Sequence, residues 1–375
     1  MHILIAALHR PTKPTGVCRH AANLAKCLAD NKKISQVTLV LGLWQKDYFK
    51  TAFPLCSEKI NIIFVDIKNS SFYRNIWFLF GLPKLAEKIN CDRVHLSFPL
   101  PFIRKLFPCP VIATIHDLYP YECPDNFGYP NVIFNQLFLH QCIQGSDALA
   151  CVSQQTFDSL IKHFPYITKK NNQTKVVYNY VDFADVNIKL PDNLNNILDF
   201  PFLLSVAQHR KNKNLDILIQ AYSLLLQQNQ LPDSTKLIIV GSSGPETENI
   251  QSLIQALNLQ EQVILVSSID DRELCWLYKI CELFIIPSSN EGFCFPLLEA
   301  LSLSCKVVCS DIPILREVGS SKCYYFDLKY EPIKNIAESI IDALAQPPTN
   351  TPFMDTRFLK SKIAEQYLDI YQLIG

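Results

Sequence analysis

Two doubly wound α/β units in tandem are what this sequence predicts, on two observations. Short apolar runs alternate with helix-like stretches over most of the length. Those runs also fall into two series, separated by a segment rich in Asn, Asp and Pro. The first series covers 2–8, 36–41, 60–66, 92–97, 110–115, 147–152 and 174–178. The second covers 201–207, 235–240, 262–266, 283–287, 306–309 and 322–326. Helical spacing appears between them, for example over 17–29, 131–144, 213–229, 245–257 and 271–281. Strands that are apolar throughout and separated by helices belong in parallel sheets covered on both faces. The linker falls at 181–200, which gives a first domain over 1–185 and a second over 200–350. Two such units in sequence are expected to enclose a cleft at the carboxyl ends of both sheets, where this architecture binds ligands.

Each element has a local reason. The first run, Met1 to Leu8, lacks a basic leader and stops at His9-Arg10, so it reads as a strand and not as a signal peptide. Gly16, in Pro14-Thr-Gly-Val-Cys-Arg-His20, opens the first helix, whose N–H groups can reach a phosphate. Residues 72–88 leave two readings open: a helix packed on the core with a few surface lysines, or a segment touching lipid through Trp77 and Phe80. The run at 110–115 ends in Thr114-Ile-His-Asp-Leu118, so His116 sits at a strand's carboxyl end; Asp117 either orients that ring or caps the next turn. In the second half, the run at 201–207 leads into a basic loop, Gln208-His-Arg-Lys-Asn-Lys-Asn214. The run at 235–240 leads into Gly241-Ser-Ser-Gly244, which reads either as a plain turn or as backbone that approaches a ligand closely. The run at 283–287 leads into Asn290-Glu-Gly-Phe-Cys-Phe-Pro-Leu-Leu-Glu299. There Pro296 pre-sets φ for a first helical turn, so the order is strand, loop, helix N-terminus. The last stretch, 358–374, has helical spacing.

Composition bounds the function. The chain has 375 residues, enough for two domains with separate cores, and its 49% hydrophobic and 19% charged content is that of a folded globular protein. Net charge is zero but uneven: residues 1–182 carry 20 Lys and Arg against 12 Asp and Glu, and residues 183–375 carry 15 against 23. A basic first half is open to two readings, ordinary surface composition or attraction to an anionic acceptor or membrane face. The 14 cysteines are scattered, with several inside apolar runs where the thiol acts as a small hydrophobe, which points to a reducing, cytoplasmic compartment. No apolar run is long enough to span a bilayer. No Gly-x-x-x-x-Gly-Lys loop and no Gly-x-Gly-x-x-Gly after a strand occur, which argues against an ATPase and a dinucleotide-dependent dehydrogenase. No zinc-spaced Cys/His cluster is present, and nothing suggests nucleic acid.

The loop at 290–299 carries the chemistry. It offers N–H groups at a helix start to an anion and two carboxylates, Glu291 and Glu299, to sugar or ribose hydroxyls. By spacing alone the two glutamates also fit a solvated pair beside a helix cap. With its surroundings, from Pro287 to Leu301 followed by Lys306-Val-Val-Cys-Ser-Asp-Ile-Pro313 and Leu315-Arg-Glu-Val-Gly319, the segment resembles the donor-site signature of family 4 glycosyltransferases. The resemblance implies the GT-B fold, two Rossmann-like doubly wound domains facing a cleft, with segment 351–375 forming a terminal helix that packs back on the first domain. It implies transfer of a hexose from a nucleotide-sugar, of GDP-mannose or UDP-hexose type, with retention and without a metal or other cofactor. The acceptor it implies is a glycan or a lipid-linked sugar in cell-surface polysaccharide synthesis, made at the cytoplasmic face with peripheral contact to an anionic membrane left open.

The resemblance also distributes roles. Arg210 and Lys213, with Lys211 as a substitute for either, pair with the diphosphate; Arg supplies a planar fork and Lys a compact charge. Glu291 holds the donor sugar and Glu299 the ribose. Gly292, Phe293, Cys294 and Phe295 line the donor, whose diphosphate meets the N–H groups of 293–295. Gly241 lies beside the base, Gly16 beside the donor phosphates, and His116 beside the transferred sugar. Arg19 or His20 is a candidate for the acceptor, and Asn179 is structural. Two departures stand out. One glycine occurs at 16 where relatives often have two, and cysteine stands at 294 and 305 where many have glycine. The lack of any Asp-x-Asp pair separates the chain from metal-dependent transferases of the other common fold. Other activities of the same fold remain open from sequence: nucleotide-sugar epimerisation, sugar-phosphate synthesis, or a catalytically silent binding module.

Overall fold

The computed structural model describes residues 1–124, 128–167, 173–183, 186–191, 200–267, 269–347, 353 and 355–374. Parts of the expected linker (184–185 and 192–199), the end of the expected second domain (348–350) and the start of the expected terminal segment (351–352 and 354) lie outside the described residues. The chain divides into two compact units, Met1–Tyr180 with Asp355–Gly375, and Val181–Met354.

Unit 1 is built on seven strands: β1 His2–Ala6, β2 Gln36–Gly42, β3 Ile60–Val65, β4 Arg93–Leu96, β5 Val111–Ile115, β6 Ala148–Cys151 and β7 Thr174–Val176. All neighbours pair in parallel, in the order β3-β2-β1-β4-β5-β6-β7. The order reverses between β1 and β4. Connections leaving those two strands diverge to opposite sides, which opens a crevice at their carboxyl ends. Residues such as Ile3, Leu4 and Ile5 have no exposure, as expected for strands covered on both faces.

Helix Gly16–Ala29 covers one face. The Thr15 side chain caps it by accepting from the Cys18 N–H, and Ala21, Ala22, Ala25 and Leu28 turn inward. The terminal helix Lys360–Leu373 belongs to the same unit and packs beside it, with Ile363, Ala364, Tyr367 and Tyr371 in the shared core. Its Tyr371 hydroxyl lies 2.8 Å from His95 Nδ1, and its carbonyl accepts from Arg93 Nε at 3.0 Å. The opposite face carries helix Asn131–Gly145 and the segment 71–88. That segment is helix Ser71–Ile76, a wider π turn Trp77–Gly81, and helix Leu82–Lys88. Phe78, Leu82 and Ala86 are buried and Trp77 packs on the core, whereas Phe72, Tyr73, Ile76 and Phe80 face solvent.

Unit 2 has six parallel strands, β8 Phe202–Val206, β9 Lys236–Val240, β10 Val263–Val266, β11 Leu283–Ile286, β12 Val307–Ser310 and β13 Cys323–Phe326, in the order β10-β9-β8-β11-β12-β13. The reversal here falls between β8 and β11. Helices Leu215–Gln227 and Pro332–Leu344 share one face of the core, contributing Leu218, Ile219, Tyr222, Ile336 and Ile340. The expected helix start at 213 moves to Leu215, because Lys211–Lys213 forms a 3₁₀ turn and Asn214 takes the left-handed conformation (φ 47°). Among the described residues no helix is long and apolar enough to cross a membrane.

Candidate functional site

In unit 2 most candidate donor residues lie on the loops that follow β8 and β11, the adjoining strands at the reversal (Leu283 pairs with Leu203, and Phe284 with Leu204), whereas Gly241 follows β9 and Glu299 lies on the helix after β11. Two asparagines bind these loops together. Asn212 accepts the Ser289 N–H on its carbonyl at 2.9 Å, and its side chain donates to the Asn290 carbonyl at 3.1 Å. Asn214 donates to the Pro287 carbonyl at 2.8 Å. The left-handed Asn214 lets its side chain turn back while the helix starts beyond it.

That stitching brings Lys213 and Glu291 together. Their side chains form an ion pair, both largely covered, and Ser288 Oγ donates to the same carboxylate oxygen at 2.8 Å. A cation and an anion share one small volume, which suits a ligand that is anionic at one end and hydroxylated at the other. Arg210 and Lys211 line a neighbouring depression of about 180 Å³ with Asn214, Asp216, Glu246 and Asn249.

Gly292 and Phe293 lead into helix Phe295–Ser302. Cys294 precedes it in the left-handed region (φ 67°, ψ 71°), with Pro296 in the first turn and no acidic residue there. A non-glycine residue held at positive φ is a strained position. The Cys294 thiol is buried, which pushes its pKa well up, and the Glu291 carboxylate adds to that shift; a protonated, covered thiol acts by its bulk. Glu299, in the second turn of the helix, is only 3% exposed and accepts from the Tyr278 hydroxyl at 3.0 Å. Burial, then the neighbouring Glu299 charge, holds the Tyr278 phenol protonated.

Gly241 and Gly244 have a packing reason. A Cβ on Gly241 would stand 1.8 Å from the Ala207 carbonyl oxygen, and one on Gly244 would stand 2.3 Å from that of His209. Bare backbone there lets the loops after β8 and β9 lie directly against each other.

In unit 1, His116 follows β5. Its Nε2 lies 2.8 Å from the Ser97 carbonyl oxygen, so that nitrogen carries the proton and Nδ1 keeps an acceptor lone pair. Burial pushes its pKa down to about 4, so the ring is neutral near pH 7. The His20 ring meets it edge-on at 4.7 Å. His20 is itself buried, with Nδ1 2.7 Å from Asn179 Oδ1 and Nε2 3.2 Å from Thr114 Oγ1. His20 and Asn179 therefore serve the core of this unit. Asp117 accepts the Tyr119 N–H at 3.0 Å and caps the turn. Gly16 is the exposed first residue of its helix.

Sequence reasoning missed His9, Asn212 and Asn214. His9 follows β1, and burial, then the nearby His116 and Arg74, takes its pKa down to about 4. The only sequence signal was position, since each lies within a few residues of a strand's carboxyl end at a sheet reversal.

Two family models cover nearly the whole chain. One described as Glycosyltransferase Family 4 matches residues 14–185, and one described as Glycosyl transferases group 1 matches residues 188–354. The chain belongs to the family 4 glycosyltransferases. Among relatives of this glycosyltransferase, the O-antigen chain mannosyltransferase RfbU of Salmonella typhimurium is 25% identical over 335 residues, covering 86% of this chain and 87% of the relative. The O-antigen chain mannosyltransferase B of Escherichia coli is 26% identical over 326 residues, covering 81% of each. Among solved structures, Anabaena HepE in complex with UDP and glucose superposes with a TM-score of 0.66 at 16% identity, over 100% of this chain and 97% of that one. The fold of this glycosyltransferase is GT-B, two parallel-sheet α/β domains.

Proposed function

We propose that this glycosyltransferase moves a mannosyl residue, with retention, from a nucleotide-sugar to a glycan or lipid-linked acceptor during surface polysaccharide assembly. GDP-mannose is the favoured donor, on the strength of the two mannosyltransferase relatives; a UDP-hexose is the second choice. The observation that carries the reading is the Lys213–Glu291 pair, held where the loops after β8 and β11 are stitched together.

In this reading Lys213, with Arg210 or Lys211, meets the donor diphosphate, and the N–H groups of Phe293 to Phe295 add partial positive charge. Glu291 accepts from hydroxyls of the transferred sugar, and Glu299 from those of the ribose. Cys294 narrows the space beside the sugar. His116, neutral by burial, offers an acceptor at Nδ1 to a sugar hydroxyl. The acceptor hydroxyl attacks C1 as the bond from C1 to the phosphate oxygen breaks. Its proton passes to the departing diphosphate, so no protein nucleophile enters the balance. Cations of the chain suffice for the leaving charge, and the reading expects neither a metal nor another cofactor. The abundance of free thiols supports a reducing, cytoplasmic setting.

The test is product analysis with purified protein, GDP-[14C]mannose and a lipid extract holding lipid-linked saccharides. The reading expects label in a glycoside, undiminished when a chelator is present. A rearranged donor without glycoside, or no turnover of any nucleotide-sugar, overturns it.

A further inference from the structure

A glutamate side chain turns about several torsions, the last of them broad, so its backbone does not fix the plane of its carboxylate. Recognition of a ligand does require that plane to be fixed, by bonds from a rigid neighbour. At Glu291 those bonds come from Lys213 and Ser288. At Glu299, in helix Phe295–Ser302, a neutral group takes that part. The Tyr278 hydroxyl donates to Glu299 Oε2 at 3.0 Å, and both side chains are almost fully covered, at 1% and 3% exposed. A hydrogen bond to an ionised acceptor in such a place is stronger than one between neutral groups.

Tyr278 is itself held from several sides. Its helix, Asp271–Ile280, starts at a capping box between Asp270 and Glu273. Its ring meets Phe284 of β11 edge-on, with centroids 5.1 Å apart. Its carbonyl accepts from the Cys305 thiol, which lies in the turn between helix Phe295–Ser302 and β12. Burial first, and then the Glu299 charge, keeps the phenol protonated, so a proton stays on the oxygen that faces Glu299. Packing alone asks for none of this. A phenylalanine and a leucine would fill the two volumes without desolvating a charge. The pair is therefore a mount for a carboxylate that a ligand uses.

We propose that Tyr278 is a positioning residue for the donor: it sets the plane of the Glu299 carboxylate so that the two vicinal ribose hydroxyls are accepted together. This rests on the reading of Glu299 as the ribose contact and deepens it, because it makes discrimination between ribonucleotide and deoxyribonucleotide sugars depend on a side chain that touches neither. A carboxylate has about four lone-pair directions to share between a phenol and a diol. Without the phenol the carboxylate can still accept, but only from one hydroxyl at a time as it swings.

Calorimetric titration with GDP-mannose and with its 2′,3′-dideoxy analogue tests this on the full chain. The wild type is expected to bind the ribose form about tenfold more tightly than the analogue. Tyr278→Phe, which keeps the ring and its contact to Phe284, should narrow that ratio to about threefold or less while binding the analogue as the wild type does. In transfer assays its KM for GDP-mannose should rise and its kcat stay within about twofold, because the ribose contact is the same in the ground and transition states. A merely structural tyrosine would weaken both donors alike and leave the ratio untouched. Glu299→Asp keeps the charge but withdraws it from Tyr278 by one methylene, and it should lose the same discrimination; it carries the test if Tyr278→Phe does not fold. Adding Tyr278→Phe to Glu299→Asp should lower the ratio no further. An undiminished ratio in folded Tyr278→Phe, or in Glu299→Asp, overturns the proposal. A wild type that binds both donors equally removes the ribose contact from Glu299 as well, so the two failures are distinguishable.

Discussion

Lys213 and Glu291 stand 78 positions apart and meet as an ion pair, so substituting either one affects both charge and stability. Lys213→Ala is expected to lower turnover by on the order of 10² or more through loss of charge at the leaving diphosphate. It also leaves Glu291 covered and unpaired, which costs stability. Lys213→Met combined with Glu291→Gln removes that second effect. The double variant should melt closer to the wild type than Lys213→Ala does, yet remain inactive. Recovery of transfer in the double variant would remove Lys213 from the chemistry. Neither partnership was legible residue by residue. The basic loop left three cations as equals, and only the fold separates Lys213, turned to Glu291, from Arg210 and Lys211 in the neighbouring depression. The Tyr278 contact to Glu299 was equally hidden, since nothing in a tyrosine's spacing from a glutamate marks a buried bond.

The loops after β8 and β9 form an element-scale unit that depends on two bare backbones. Gly241→Ala forces a methyl into the Ala207 carbonyl and should destabilise unit 2 by about 1–3 kcal/mol, read by urea denaturation. Stability equal to the wild type would show that the loops part easily. Gly241 thereby carries a packing role of its own. At this scale the strands were the legible part. The central runs, such as β1, β5, β11 and β12, are buried on both faces, so their length and apolar character survive tertiary context; ends differ by a residue or two, as hydrogen-bonded boundaries do. The short helices Lys46–Ala52 and Pro313–Gly319 offered too few turns for a periodic signal. Segment 71–88 packs Phe78, Leu82 and Ala86 on the core, as its packed-helix reading expects, and carries a π turn at Trp77–Gly81 that the spacing did not signal. Phe78 and Trp77 pack inward while Phe72 and Phe80 stay out.

Over the whole molecule, titratable burial is uneven. His9, His20, His95 and His116 all belong to unit 1 and are held neutral, the first and last with pKa near 4 and His95 near 3. Burial is the first cause in each, and repulsion from His116 is the second for the other three. A histidine whose folded pKa lies below its unfolded value of about 6.5 stabilises fully above that value. Stability is then lost as pH falls from about 6.5 towards 4, because only the unfolded chain takes up the protons. Unit 1 should therefore be the acid-sensitive half, with hydrogen exchange at pH 5 rising in β1, β4 and β5 before β8 and β11. Equal loss of protection in both sheets would contradict that assignment. The two-unit plan was readable from the two series of apolar runs, and the sheet order explains why the candidate residues cluster: in both units they follow the strands at or beside the reversal. The anionic ligand in unit 2 is the claim on which the functional account depends. Calorimetric titration of GDP-mannose into the wild-type chain and into Lys213→Ala tests it most directly. The account predicts saturable binding to the wild type that the variant loses or weakens by at least tenfold. Equal binding by both proteins, or none by the wild type to GDP-mannose or any UDP-hexose, would contradict it.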